Sequence, residues 1–409
     1  MEIVTVIYLL MFFFGIFFLS LFVLLTRKYF KKINYYPEPK IFPSITLLVP
    51  AYNEESCIEA TIKSLVSVEY PVGKKEIILI NDGSKDNTLK IMRDYARRYP
   101  EITVLDKINS GKANSLNEGI KMARGELIAV VDADSCPAKD SLHKMVGFFE
   151  EDEKVAAVTS RVLVKRNKNF IEKFQDFDYI VIAWDRKILD FINCVYVTNG
   201  PLSVYRTKIV RKIGGFNPKV ITEDIEITWN LLSKGYKTKM AFQAIAYTGI
   251  PDTFKRWNLQ RIRWNLGGFQ TIWKYRQFFF RGENLFGYFV IQYILFSFLL
   301  ALLGLILSAK TILLGLWHFI LISPYFSQGF NPFYSFNIDI ELTLISVVFL
   351  IFLVLAIGYY LFALKKSGAK HIGIGSILVY IFVYRTLYIV PLIGSIYKLI
   401  KGDIGWYTK

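Results

Sequence analysis

The stretch Leu127-Ile128-Ala129-Val130-Val131-Asp132-Ala133-Asp134 runs from apolar, β-branched residues straight into two carboxylates one residue apart. The apolar part has the length and composition of a buried strand. The turn that ends it places Asp132 and Asp134 where two acidic groups can share one hard cation with phosphate oxygens, a mode that suits magnesium or manganese. The same layout occurs upstream, where the apolar run 76–80 leads into Asn81-Asp82-Gly83-Ser84. Runs 45–49 and 103–105 complete a set of strands, 127–131 being the last. Strands separated by helical stretches predict an α/β unit with a mainly parallel sheet, and such sheets bind ligands beyond the carboxyl ends of their strands. No GxGxxG comes after any of these strands, which argues against a dinucleotide-binding unit of the dehydrogenase kind.

Outside residues 43–250 the composition changes. Residues 3–26 are uncharged and almost wholly apolar, and Arg27, Lys28, Lys31 and Lys32 come directly after them. At a rise of about 1.5 Å per residue that run spans a bilayer core of about 30 Å, and the basic flank places the region beginning at residue 43 in the cytosol. Glu2 in front and Arg-Lys behind are unlike a cleaved leader. Apolar segments return at 285–308, 311–322, 342–364 and 372–400. The second is short for a crossing and reads as re-entrant or flat; the last contains Arg385 and Pro391. The 409 residues carry 50 basic and 34 acidic side chains, a formal charge of +16. With these apolar segments, that excess is read as facing a membrane rather than nucleic acid. Cys57, Cys136 and Cys194 have no CxxC spacing, and His143, His318 and His371 are scattered, so neither a zinc site nor a disulfide framework is indicated.

Two stretches have an apolar stripe at helical spacing. One runs Phe170, Phe174, Phe177, Val181, Trp184, Ile188, Phe191; the other runs Leu259, Ile262, Leu266, Phe269, Trp273 and carries basic residues, as membrane-surface helices do. On the second, Gln260, Arg263 and Trp264 share a neighbouring face at offsets of three and four. An amide, a guanidinium and an indole on one face can hold a diphosphate and stack on a sugar. A further acidic cluster, Thr222-Glu223-Asp224, lies downstream of Asn199-Gly200-Pro201-Leu202.

Taken in order, Val49-Pro50-Ala51-Tyr52-Asn53-Glu54, NDGS, Gly111-Lys112-Ala113-Asn114, DAD, NGPL, TED and QRIRW resemble glycosyltransferase family 2. The resemblance covers residues 43–268 and is nearest the processive membrane branch: the poly-N-acetylglucosamine, hyaluronan, chitin and cellulose synthases. It implies a GT-A (Rossmann-like) fold in a cytosolic domain with α-helical transmembrane segments around it. The expected division is an N-terminal transmembrane helix at 1–30, the catalytic domain at 43–250, an interface helix carrying QRIRW at 251–282 and a membrane region at 283–409.

The resemblance also implies roles for individual residues. Tyr52, Glu54 and Asp82 hold the nucleoside, with Lys112 near the nucleotide. Asp132 contacts the donor, and Asp134 binds Mg2+ or Mn2+ through the diphosphate. Asp224 is the general base. Gly200 shapes the acceptor entrance, and Glu223, Gln260, Arg263 and Trp264 hold the acceptor and diphosphate. The implied partners are a nucleotide-sugar donor, a glycan or glycolipid acceptor and the lipid membrane, with room for a small membrane partner subunit and no nucleic acid. The expected activity is inverting transfer from a UDP-sugar such as UDP-GlcNAc or UDP-Glc to a growing β-linked polysaccharide in the cell membrane. The alternatives are a single addition to a membrane lipid, and an inactive scaffold of an export complex. Two features depart from the branch: one membrane segment precedes the domain where several synthases have two, and Gly249 stands where many relatives are acidic. The ending Trp406-Tyr407-Thr408-Lys409 is similar to a Trp-x-Thr-basic element of the hyaluronan and chitin type.

Overall fold

The computed structural model describes residues 3–165, 169–282, 285–322, 344–368 and 373–402. The C-terminal Trp406 element lies outside them. At the centre is one mixed sheet of eight strands in the order β3-β2-β1-β4-β7-β6-β8-β5. The four strands expected from the apolar runs are β1 (Ile45–Ala51), β2 (Lys75–Asp82), β3 (Ile102–Lys107) and β4 (Leu127–Val130), paired in parallel. The other half adds β5 (Ser135–Pro137), β6 (Val155–Val164), β7 (Ser203–Arg206) and β8 (Lys237–Thr248). There β7 runs antiparallel to both β4 and β6, β5 is antiparallel to β8, and β6 pairs in parallel with β8.

Strands β1, β2 and β4 are largely buried on both faces, as crossover helices require, while the edge strand β3 is only partly covered. Side chains alternate between faces with period two. Ile45, Leu47 and Val49 meet helices 58–67 and 88–98 through Ile58, Ile62 and Met92. Leu48, Ile78, Ile80 and Val130 point the other way, to Leu116 and Ile120 of helix 112–122 and Ile227 of helix 223–233. The four parallel strands therefore end at the same rim, where the loops carrying the acids emerge.

Three helical stretches among the described residues are long and apolar enough to cross a membrane: Leu9–Lys32, Phe286–Leu307 and Ile374–Lys401. Residues 285–308 and 311–322, expected as two segments, run together in one continuous helix, Ile291–Ile322. Ser308-Ala309-Lys310 between them contains neither Gly nor Pro, so nothing interrupts the backbone hydrogen bonds. The first helix packs on the later ones through rings: Phe14 stacks on Phe296 with centroids 4.4 Å apart, and Phe18 meets Tyr293 edge-on at 5.2 Å. Gly15 lets the 344–366 helix approach closely, since a Cβ there would sit 3.2 Å from the Phe352 ring.

The two amphipathic stretches are the helices Phe170–Asp190 and Phe254–Tyr275. Protein covers much of both stripes. Phe177, Val181, Trp184 and Ile188 are buried. On the second helix Ile262 and Leu266 pack with Ile221 and Leu399, while Leu259 and Trp273 stay exposed. The cover on the second helix is the C-terminal run Ile374–Lys401: a Cβ on Gly394 would meet Ile262, and Asn265 Nδ2 donates to Ser395 Oγ at 3.2 Å.

Candidate active site

The site assembles from strand ends and helix starts along one rim. Tyr52, Asn53 and Glu54 come directly after β1. The Glu54 N–H donates to Thr88 Oγ1 at 2.8 Å, and Glu54 Oε2 accepts from the Cys57 thiol at 3.0 Å. Asp82, the last residue of β2, is buried. Its Oδ1 accepts from Lys107 Nζ at 2.6 Å and from Ser110 N–H at 2.9 Å, and its Oδ2 from Gly111 N–H at 2.9 Å. Burial alone would raise the Asp82 pKa, but these donors hold it below its ordinary value. Gly111 has φ 88° and ψ 160°, a conformation essentially confined to glycine, and that turn aims its N–H back at Asp82 just before helix 112–122 begins.

That helix begins with Lys112, the hub of the site. Lys112 Nζ lies 2.6 Å from Asp132 Oδ1 and 2.6 Å from Glu223 Oε1. Burial disfavours the ammonium, but Asp132, Glu223 and Asp224 together hold its pKa above the ordinary value. One cation thus joins the acid after β4 to the acids that start helix 223–233, far along the chain. Asp224 lies in the first turn of that helix, where Oδ1 accepts from Ile225 N–H at 2.9 Å. Burial pushes its carboxyl up to about 6, Glu223 adds to the rise, and Lys112 opposes it. A carboxylate tuned toward neutrality beside a fixed cation is the usual state of a general base.

Gly200 closes the site from beneath. Its carbonyl accepts from Asp132 N–H at 3.2 Å, and a Cβ at this position would collide with the Asp132 carboxylate. Asp134 Oδ1 accepts from Ser135 Oγ at 3.1 Å and Thr248 Oγ1 at 3.4 Å; a Cβ on Gly249 would stand 3.9 Å from Asp134 Oδ2. No group of three His, Cys, Asp or Glu side chains among the described residues could hold a metal by itself.

Helix 254–275 borders the site and is fixed to the segment carrying Asp224. Gly267 lets Thr222 approach, Gln270 Oε1 accepts from Ile221 N–H at 3.0 Å, and Lys274 and Tyr275 both donate to the buried Glu226. Gln260, Arg263 and Trp264 are partly exposed on this helix. Their neighbour Arg261, which helical spacing does not single out, is almost fully buried: it pairs with Asp178 at 3.2 Å and lies 4.0 Å from the Trp264 ring centroid. Asp178 also accepts from Tyr380 Oη at 2.8 Å and from Tyr388 Oη. Arg385 is near the same carboxylate, at 3.9 Å. Tyr179, next along helix 170–190, faces Trp264 with ring centroids 6.4 Å apart. An acid inside an otherwise apolar stripe was the available signal for Asp178; Lys107 and Tyr179 had none.

Comparisons with known proteins bear on the family and the fold. Residues 46–214 match glycosyl transferase family 2. The chain is 27% identical over 382 residues to the probable glycosyltransferase YdaM of Bacillus subtilis (strain 168), covering 90% of this chain and 87% of that one. It is 32% identical over 229 residues to a poly-β-1,6-N-acetyl-D-glucosamine synthase of Staphylococcus epidermidis, covering 56% of this chain and 55% of that one, so the match spans about half of the synthase. Among solved structures, the mannosyltransferase PcManGT from Pyrobaculum calidifontis in complex with GDP-Man and Mn2+ superposes with a TM-score of 0.57 at 20% identity, over 94% of this chain and 99% of that one. At that identity the likeness is one of fold.

Proposed function

We propose that this chain, whose residues 46–214 match glycosyl transferase family 2 and whose helices include three long and apolar enough to cross a membrane, is a member of that family that extends a β-linked polysaccharide from a UDP-sugar at the cytosolic face. The observation that carries the reading is the Lys112 hub, which draws Asp132 and Glu223–Asp224 into one site from distant parts of the domain. The similarity to poly-β-1,6-N-acetyl-D-glucosamine synthases supports the polymerising branch.

In this mechanism Tyr52, Glu54 and Asp82 hold the nucleoside, Asp82 by fixing the loop that ends in Gly111. Asp132 orients the donor sugar. Asp134 would hold a divalent cation, which would supply positive charge to offset that on the departing diphosphate. Asp224 takes the proton from the acceptor hydroxyl as that oxygen attacks the anomeric carbon from the face opposite the leaving group, so configuration inverts. Arg263 and Gln260 receive the diphosphate and acceptor end, and Trp264 stacks on the acceptor sugar. Residues 43–250 are the catalytic unit, 251–282 the interface helix, and 1–30 with 283–409 the membrane part.

The test is incubation of purified protein with a panel of UDP- and GDP-sugars, with Mn2+ or Mg2+ and with excess chelator. Polymer from a UDP-sugar, lost with chelator and restored by the ion, is the expected result. A single sugar added to lipid would defeat the polymerising reading, and full activity in chelator would remove Asp134 from its role.

The fold also suggests a topology. If helices 291–322 and 344–366 each cross once and the run Ile374–Lys401 lies along the membrane face without crossing, the chain is back on the catalytic side from Ile374 onward, in keeping with the packing of helix 389–401 on helix 254–275. We therefore expect a cysteine at Lys401→Cys to be labelled only from the cytosolic side; labelling from outside would refute the arrangement.

A further inference from the structure

Helix 170–190 brings one more charged group to the site, and no step of the proposed transfer uses it. Arg186 is 7% exposed and makes no ion pair among the described residues. Its Nη1 donates to Asn199 Oδ1 at 2.8 Å, and its Nε has no acceptor. Asn199 is 8% exposed. Because a guanidinium only donates, the amide oxygen must be the atom facing Arg186. The same oxygen accepts from Thr159 Oγ1, while Asn199 Nδ2 has no partner. Two neighbouring buried side chains therefore each keep an N–H without an acceptor, an arrangement that proteins rarely tolerate without a reason.

Their position supplies the reason. Asn199 precedes Gly200, which abuts Asp132, and Thr198 Oγ1 reaches the Asp224 carbonyl at 3.4 Å. Burial lowers the pKa of the Arg186 guanidinium, and the nearby Tyr196 and Asp224 counteract this. The segment 198–200 that carries Asn199 thus touches both the residue expected to orient the donor sugar and the residue expected to act as base.

We propose that Arg186 and Asn199 form an acceptor subsite that donates hydrogen bonds to an oxygen substituent of the terminal acceptor sugar, beside the hydroxyl deprotonated by Asp224. The proposal rests on the glycosyl-transfer reading. Both residues position the acceptor and exchange no proton with it. A subsite built from buried donors discriminates strongly against sugars lacking the matching oxygen.

The experiment measures donor affinity and the acceptor KM separately, with the nucleotide sugar that the panel identifies and an oligosaccharide of its product as acceptor. For Arg186→Met we expect acceptor KM to rise by about tenfold or more while donor Kd stays within about twofold, with Arg186→Lys recovering part of the loss. Asn199→Asp keeps an oxygen for Arg186 and replaces the free donor by an acceptor; it should raise acceptor KM in the same way and covers the case in which Arg186→Met fails to fold. An unchanged acceptor KM in variants that bind donor normally, or an equal loss of donor and acceptor affinity, would overturn the subsite. A wild-type protein inert towards every nucleotide sugar would overturn the transfer reading itself.

Discussion

Asp224→Asn should lower the rate of sugar transfer by about 10²- to 10⁴-fold, the usual contribution of a general base, while donor affinity stays close to that of the wild type. The amide preserves shape and polarity but cannot take a proton. The wild-type pH profile carries the same assignment. Burial raises the Asp224 pKa to about 6, so the base is protonated and idle below that value, and the rate should rise as pH increases through about 6. Stability has the opposite sign. A carboxyl with a raised folded-state pKa favours the fold while it is protonated and loses that contribution as pH rises through about 6. Asp224→Asn should therefore be no less stable than the wild type at neutral pH. Initial rates across pH 5–8, with thermal melting of the same samples, check both points. Near-normal turnover, or a lower melting temperature that accounts for the lost activity, would remove Asp224 from the role of base.

Asp178→Ala should have the largest effect on stability, about 3–5 kcal/mol, the typical cost of removing one member of a buried ion pair. Asp178 and Arg261 have side-chain exposures of 1% and 2%, so Arg261 would be left charged and uncompensated. Tyr380 and Tyr388 would lose their hydrogen-bond acceptor at the same time. Because this carboxylate ties helix 170–190 to helix 254–275 and to the C-terminal run, its loss should also loosen Trp264, which Arg261 overlies. Asp178→Asn keeps an acceptor oxygen for the tyrosines and should be milder. Melting of detergent-purified protein provides the measurement; a midpoint within a degree or two of the wild type in Asp178→Ala would show that the cluster does not hold the helices together.

Much of the catalytic half was legible from local sequence. Strands β1, β2 and β4 read directly because parallel strands covered on both faces must be continuous apolar runs, and the partly covered edge strand β3 reads from its short apolar centre. The acids at their ends read because a turn after such a run exposes the residues beyond it. Strand β7 has four residues, and β8 mixes lysines with apolar residues, so neither separates from its surroundings by pattern alone. Residues 291–322 look like two segments because Lys310 interrupts the apolarity, although it does not interrupt a helix.

The parallel half-sheet, the acids placed at its rim and the long apolar helices were determined by the sequence alone. Each arises from a periodicity or a run that a few neighbouring residues set through backbone geometry and solvent exclusion. Tertiary structure alone decided which charges meet. Lys112 reaches Glu223 because β4 and β7 lie side by side in the sheet and bring helices 112–122 and 223–233 together on one face. Arg261, not Arg263, is buried against Asp178 because the C-terminal run covers that side of the helix and removes water from it. Pairings between residues far apart in the chain are set by packing, and the strength of each depends on the water that packing excludes.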